Sequence, residues 1–311
     1  MLVGLFFRAT FTGLLDQRIA TYVSIMTIAF LLGAPVAMGY WSVAEYLRTT
    51  PADRICWRVW LYLPWLSVLV TILLSVLFGW EGRICILFAA PIMLIGSLLG
   101  GVAARIVWQR IGNRFSDRIT VLALPLLLFA LEAQIPAPPE FRTVKTAILI
   151  HAPSETVWNN IKSVPLIRAD ELPRSWIERA GFPKPLAATL SRDGVGGVRQ
   201  ASFTGGLLFT ETVNEWTPGT DLRFSIHANT TSIPPSTLDE HVRVGGPFFD
   251  VLEGEYQLEK RPDGVLLHLT STERLSTHFN SYAGEWTDAV MRAIQEQILF
   301  VIRRRCESSA G

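Results

Sequence analysis

The sequence predicts an α-helical membrane region followed by an α+β domain, in which a curved antiparallel sheet is closed by one long C-terminal helix. Three observations carry that expectation. Apolar runs of membrane-crossing length fill much of residues 1–135. A proline-rich stretch, IPAPPEF at 135–141, then breaks the pattern. Beyond it the chain alternates with the period of strands between Gly/Pro turns, and it ends in a long run of helical period. Charge divides at the same place. Residues 1–145 carry 12 Lys/Arg against 7 Asp/Glu, whereas residues 146–311 carry 16 against 20. The acidic second part lacks the basic face that phosphate binding needs, so no nucleic-acid partner is expected.

Four segments read as spans, since crossing the hydrocarbon takes roughly 20 apolar residues. Residues 19–40 hold no charge. Residues 59–78 are the second span, and GWEGR at 79–83 connects tightly to the third, 84–107, whose only charge is Arg105 near its end. The fourth, 119–135, is the weakest: its apolar part ends at 131, and Glu132 falls near the headgroups. The first fifteen residues are apolar around Arg8, too short to span and without a small-residue cleavage site. They read as an interfacial segment and not as a signal peptide. Gly96 and Gly100 form a small-xxx-small pair, which an ordinary close helix contact accounts for. No span carries a central Asp, Glu, Lys or His, which an ion or proton path would need, so anchoring is expected and transport is not.

Arginines in short loops set orientation. Seven of them come after the first and third spans, against Arg8, Arg18 and Arg83 in the competing positions, which puts those two loops in the cytoplasm and the N-terminus outside. Four spans then place the C-terminal domain outside the cytoplasm. An interfacial fourth segment would place it inside, in agreement with Arg142 and Lys145. The expected location is a plasma or bacterial inner membrane, multi-pass, with the second domain on the non-cytoplasmic side.

Pro-rich segments are semi-rigid and extended, so 136–145 reads as a linker between a membrane domain, 1–135, and a second domain, 146–306. TAILIHAPSETVWNNI, 146–161, opens as a strand in which Ile148 and Ile150 alternate with Ala147 and Leu149. It turns helical at Pro153, whose missing N–H costs nothing at a first helical position. Glu155 suits the helix dipole there, and Val157, Trp158 and Ile161 form an apolar face. A second short helix is expected before the next strand. Strands are expected at 187–192, 198–203, 207–216, 221–228, 248–260 and 265–275, with turns at GVGG, TGG, TPGT and RPDG. A looser stretch holds Pro234, Pro235 and Pro247. The last helix is expected at 282–305, with Trp286, Val290, Ala293 or Ile294, Gln297 and Val301 along one side. A curved sheet has one face to cover, and one helix laid across it leaves a cavity.

The string IHAPSETVW resembles the opening of the START-like superfamily, also called SRPBCC or polyketide-cyclase-like. So do GVGGVRQASF, FTETVNEWTPGTDLRFSI, GEYQLEKRPDGVLLHLTS and the closing YAGEWTDAVM, over about residues 144–306. The resemblance implies a helix-grip fold with a deep hydrophobic cavity. Its members include lipid carriers, hormone receptors and cyclases, so it implies a cavity more firmly than a reaction.

No GxSxG, HExxH or P-loop is present, and GVGGVR departs from GxGxxG at Arg199. Cys56, Cys85 and Cys306 lack ligand-like spacing and read as inert thiols. His151, His227, His241, His268 and His278 are scattered, so neither a metal nor a cofactor is expected. His227 shares a face with Arg223 and Ser225, opposite Leu222, Phe224 and Ile226, and is expected to be exposed. The polar groups of interest are Glu171, Arg199, Glu211 and His241. Arg199 and Glu211 sit on neighbouring strands of one hairpin. With an odd loop they share a face with Ala201, Phe203 and Phe209 and form a polar anchor in an apolar pocket. The alternative is a cross-strand ion pair facing water, worth little. Glu171 falls in the helix pair near the expected cavity mouth, where it is otherwise a solvated helical charge. Trp176, Phe203, Phe209, Phe224, Tyr256 and Trp286 complete the expected ligand-binding set.

The expected function is membrane-anchored binding or transfer of a lipid or other hydrophobic small molecule, without catalysis. The anchor would raise the effective concentration of cavity and ligand. A cyclase or aromatase-like enzyme would instead use Arg199, Glu211 or His241 for acid–base work in the same pocket. A structural or sensory module would fill the cavity with its own side chains. No protein partner is indicated.

Overall fold

A computed structural model of the chain describes residues 26–56, 58–78, 83–112, 118–229 and 244–308. The interfacial segment expected at the N-terminus, the start of the first span and most of the GWEGR connection lie outside the described residues, as do Pro234, Pro235 and His241. Contacts divide the chain into two compact units: Met1–Pro138 with Thr277–Phe279, and Pro139–Ser276 with Asn280–Gly311.

In the first unit a π-helical turn, Ala29–Gly33, runs into α1, Ala34–Thr49. The helix continues past position 40, where the first span was expected to end, and takes Glu45 and Arg48 into its last turns as an ion pair. Then come α2, Val59–Leu77, α3, Arg83–Ile111, and α4, Arg118–Glu132. Among the described residues two helices, α2 and α3, are long and apolar enough to cross a membrane. α4 has only 15 residues.

α2 is built inside out. It buries Pro64, Val68, Thr71 and Ser75. Its other side shows Tyr62, Leu66, Leu69, Leu73 and Leu77, each 50–69% exposed. α3 likewise exposes Ile95, Leu99, Val102 and Ile106, and α4 exposes Leu124, Leu127 and Leu131. A helix facing water shows the reverse arrangement. Glycines let α3 approach α1. A Cβ on Gly100 would collide with the Val36 carbonyl and one on Gly39 with that of Ser97, while Gly96 lies against Leu32. Glu132, expected near a headgroup, is buried. Its carboxylate accepts from the N–H groups of Ile28 and Ala29 at 2.8 and 3.0 Å. Those are donors that a helix start leaves unpaired.

The second unit is an α+β helix-grip fold. Its elements are β1 (Glu140–Ile150), α5 (Ser154–Lys162), α6 (Trp176–Ala180), β2 (Pro185–Leu190), β3 (Val198–Phe203), β4 (Leu208–Thr217), β5 (Asp221–Asn229), β6 (Phe249–Arg261), β7 (Gly264–Leu275) and α7 (Asn280–Ser308). The strands form one curved, seven-stranded antiparallel sheet in the order β1-β7-β6-β5-β4-β3-β2. Register shifts at Val213/Glu215 and Val251/Glu253 mark bulges, which bend strands and increase twist. β1 starts at Glu140, so residues 140–145, read as linker, are instead paired with β7. The inward alternation of Arg142, Val144, Thr146, Ile148 and Ile150 carries the strand back that far.

α7 lies across the concave face and is gripped along two stripes. Met291, Gln295, Leu299, Ile302 and Cys306 form the first, and the last three join Ile150, Val157, Trp158, Leu222 and Leu267 in the main core. The second, Ala293, Gln297 and Val301, is the stripe expected from sequence, and its Val301 packs with Val164, Ile167, Ala188 and Ala201. Trp286 and Val290, expected on that stripe too, are only half-buried. Gln295 pins the helix to the sheet. Its amide donates to the Val144 carbonyl at 3.0 Å and to Ser271 Oγ at 2.9 Å, and it accepts from Thr146 Oγ1 at 3.0 Å. Nearer the helix start, Arg142 forms a bidentate pair with Asp288 at 2.9 and 2.7 Å.

Candidate ligand-binding site

The concave face carries polar groups that a sheet interior ordinarily excludes. Arg199 on β3 stands directly opposite Glu211 on β4. Alternation turns Arg199, Ala201 and Phe203 inward on one strand, and Phe209, Glu211 and Val213 inward on the next. Arg199 and Glu211 are 4% and 6% exposed and joined by a hydrogen-bonded ion pair. The pair is therefore cross-strand, as one alternative had it, but it does not face water. The guanidinium carbon lies 5.4 Å from the ring centre of Phe224 and 5.9 Å from that of Tyr256, within cation–π range. Arg199 Nε has no acceptor in the protein. Burial pushes the Glu211 carboxyl above its usual range, against the pull of Arg199. Burial also raises the Tyr256 hydroxyl.

Phe203 and Phe209 sit beside this pair, edge to face at 5.4 Å, and both pack on the cluster that holds Val301. The structure thus brings together Arg199, Phe203, Phe209, Glu211, Phe224 and Tyr256. Three expected residues stand apart. Glu171 is not on a helix but in the segment between α5 and α6, where it is buried and bonded to Arg305 at 2.8 and 3.0 Å and to the Arg168 N–H at 2.8 Å. The Arg305 bond holds its carboxyl down at about 2. Arg305 also donates to the carbonyls of Pro165 and Leu166, so Glu171 fastens that segment to α7. Trp176 is 40% exposed at the start of α6. Trp286 pairs with Tyr282 at 6.5 Å in the first turns of α7. His227 is exposed, on the outer face.

Two features lay outside the expected set. Glu273, 0% exposed on β7, has neither carboxylate oxygen bonded to the protein. The nearby Thr287 hydroxyl donates at 3.1 Å to the Gly284 carbonyl instead. Burial pushes the Glu273 carboxyl up to about 7. Its signal was legible, because strict alternation through Val265, Leu267 and Leu269 puts position 273 on the inner face. The other feature is a groove of about 530 Å³ between β1, α7 and the segment before α6. Ile148, Ala293, Gln297 and Leu299 line its inner side. None of the nine expected residues that are described lines it. Among the described residues, no group of His, Cys, Asp or Glu side chains is placed to hold a metal ion.

No protein-family model matches the chain, and no curated protein matches it. Solved structures do. An uncharacterized protein from Rhizobium leguminosarum is 14% identical with a TM-score of 0.32, covering 54% of this chain and 99% of that one. The Aha1 dimer from Colwellia psychrerythraea gives 16% and 0.31, covering 55% and 99%. DynU16, a protein of the dynemicin biosynthetic locus, gives 16% and 0.30, covering 50% and 45%. At these TM-scores the likenesses carry no argument about what this chain does.

Proposed function

We propose that the chain is a multi-pass membrane protein whose second unit is a START-like domain. It binds a lipid or other hydrophobic small molecule between sheet and α7, and hands it over at the membrane surface without chemistry of its own. The observation that supports binding most is the groove of about 530 Å³ beside α7, a volume within the range of ligand pockets. Gln297 in that groove lies one helical turn before Val301, against which Phe203 and Phe209 pack. The expected ligand set is thereby its neighbour along α7. The outward leucines of α2, α3 and α4 support the membrane assignment, because exposed apolar stripes of this size suit lipid and not water. Four spans and the arginine bias favour a non-cytoplasmic second unit.

Native mass spectrometry of the full chain, extracted in a mild neutral detergent, tests the reading. A constant added mass, released on unfolding and identified as an apolar molecule, is expected. Bare protein in every preparation would refute it. One observation favours a cyclase-like enzyme instead: a buried carboxyl near pKa 7, Glu273, suits general acid–base work. In that case the added mass would change to that of a converted molecule, and Glu273→Gln would stop the conversion.

A further inference from the structure

The groove beside α7 carries a charge that its domain does not. Residues 146–311 hold more acids than bases, 20 against 16. Yet Lys145, Arg174 and Arg292 all line this groove against the single acid Glu296. The three cations come from separate elements: β1, the segment before α6, and α7. All are exposed, and among the described residues none has an acidic or hydrogen-bonding partner. Four other arginines of the unit are paired with acids: Arg142 with Asp288, Arg199 with Glu211, Arg223 with Glu255 and Arg305 with Glu171.

A second, independent feature lies deeper. Gln297 is 1% exposed, and its amide nitrogen donates to Glu178 at 3.0 Å. Its Oε1 is buried with no donor in the protein. Buried acceptors are ordinarily satisfied, and this unsatisfied one belongs to a residue that lines the groove. Ile148, Ala293 and Leu299 surround it with apolar surface. The groove is therefore cationic at its rim, has one free acceptor below, and is apolar beside it.

We infer that this groove takes the head of an anionic amphiphile. A carboxylate or phosphate sits among Lys145, Arg174 and Arg292, a hydroxyl or N–H of the same head donates to Gln297 Oε1, and the apolar chain runs along Ile148, Ala293 and Leu299. The inference rests on the reading of this unit as a carrier of an apolar molecule, and it adds the ligand's charge and polarity. Arginine suits such heads because its planar fork matches two oxygens at once. Three cations on one rim also draw anions by their summed field, an effect that salt weakens.

The test uses the full chain in nanodiscs of neutral phosphatidylcholine, with empty nanodiscs as the blank. Isothermal titration with octyl phosphate, octanol and inorganic phosphate is run on the protein and on the triple variant Lys145→Gln, Arg174→Gln, Arg292→Gln. The single variant Arg292→Glu serves as a second probe. These side chains are exposed, so unchanged melting temperatures are expected. Octyl phosphate is expected to bind at least tenfold more tightly than octanol, to weaken at least tenfold in the triple variant, and to weaken with added salt. Octanol binding should not change. Equal octyl phosphate affinity in protein and variant overturns the inference. Octanol binding as tightly as octyl phosphate does so too, while leaving the apolar-carrier reading intact. Inorganic phosphate binding as tightly as octyl phosphate marks a site for a free anion and overturns the amphiphile. Binding of no probe at all overturns both readings.

Discussion

α2 and α7 are both long helices, and they turn opposite kinds of side chain outward. α2 hides Pro64, Val68, Thr71 and Ser75 and turns Leu66, Leu69, Leu73 and Leu77 outward. α7 hides Met291, Leu299 and Ile302 and turns Arg292, Glu296 and Arg304 outward. Water drives the second arrangement, since burying apolar surface is worth roughly 25 cal/mol per Å². In lipid that drive between helices vanishes, and small or weakly polar residues make the contacts instead. The side on which a helix keeps its small residues therefore reports its solvent, and apolar content alone does not.

Charge substitutions on the two helices would break this comparison if it is wrong. Leu299→Asp puts an unpaired charge into the core and should destabilise the second unit by about 5 kcal/mol in denaturant melts. A loss below about 1 kcal/mol would mean that α7 is not gripped there. Arg199→Met comes next. It leaves Glu211 buried without its counter-charge and should cost about 3–5 kcal/mol, whereas adding Glu211→Leu should recover most of the loss. No recovery in the double variant would show that the pair matters through something besides its charges. Leu73→Asp is the counterpart on α2. It sits on an exposed position, where a water-facing helix would lose within about 0.5 kcal/mol. In a bilayer it should cost about 2.5–3.5 kcal/mol of insertion free energy, measured by the inserted fraction in a translocation assay.

The smallest effect concerns two carboxylates of the second unit with opposite shifts. Glu273 is raised in the fold from 4.5 to about 7, so the native state holds its proton more tightly than the unfolded chain does. Its effect on stability is nil below 4.5, grows unfavourable as pH rises toward about 7, and is constant above. Glu171 is lowered to about 2, so its contribution is present above 4.5 and is lost as pH falls below that. Glu273→Gln should therefore add about 2–3 kcal/mol at pH 8 and nothing at pH 4. An equal gain at both values would assign the effect to packing.

Much of the second unit was legible because alternation is a strong signal. All the later strands lie within two residues of their expected ends, and the facing of Arg199 with Glu211 came from the hairpin. Alternation also placed His227 outside. β1 was cut short because the prolines of IPAPPEF mask the strand that begins among them, although Arg142 and Val144 continue the inward pattern. The stripe of α7 through Met291, Gln295, Leu299, Ile302 and Cys306 was missed because Gln295 and Cys306 do not look apolar; they are buried through hydrogen bonds and packing. Glu171 was misplaced because nothing near it shows that Arg305, far along the chain, would claim it. The groove was invisible for the same reason. Lys145, Arg174 and Arg292 come from three elements, and only the fold makes them neighbours.

The most direct test of the two-solvent account uses paired spin labels. Cys56, Cys85 and Cys306 are replaced, single cysteines are introduced at Leu73 on α2 and Glu296 on α7, and each is given a nitroxide in full-length protein reconstituted in lipid. Collision rates with oxygen, which concentrates in the bilayer, and with a water-soluble nickel chelate report the surroundings of each side chain. The account predicts that the label at position 73 is relaxed by oxygen and shielded from nickel, and that the label at position 296 shows the reverse. Nickel access at both positions would contradict it, by placing the outward leucines of α2 in water.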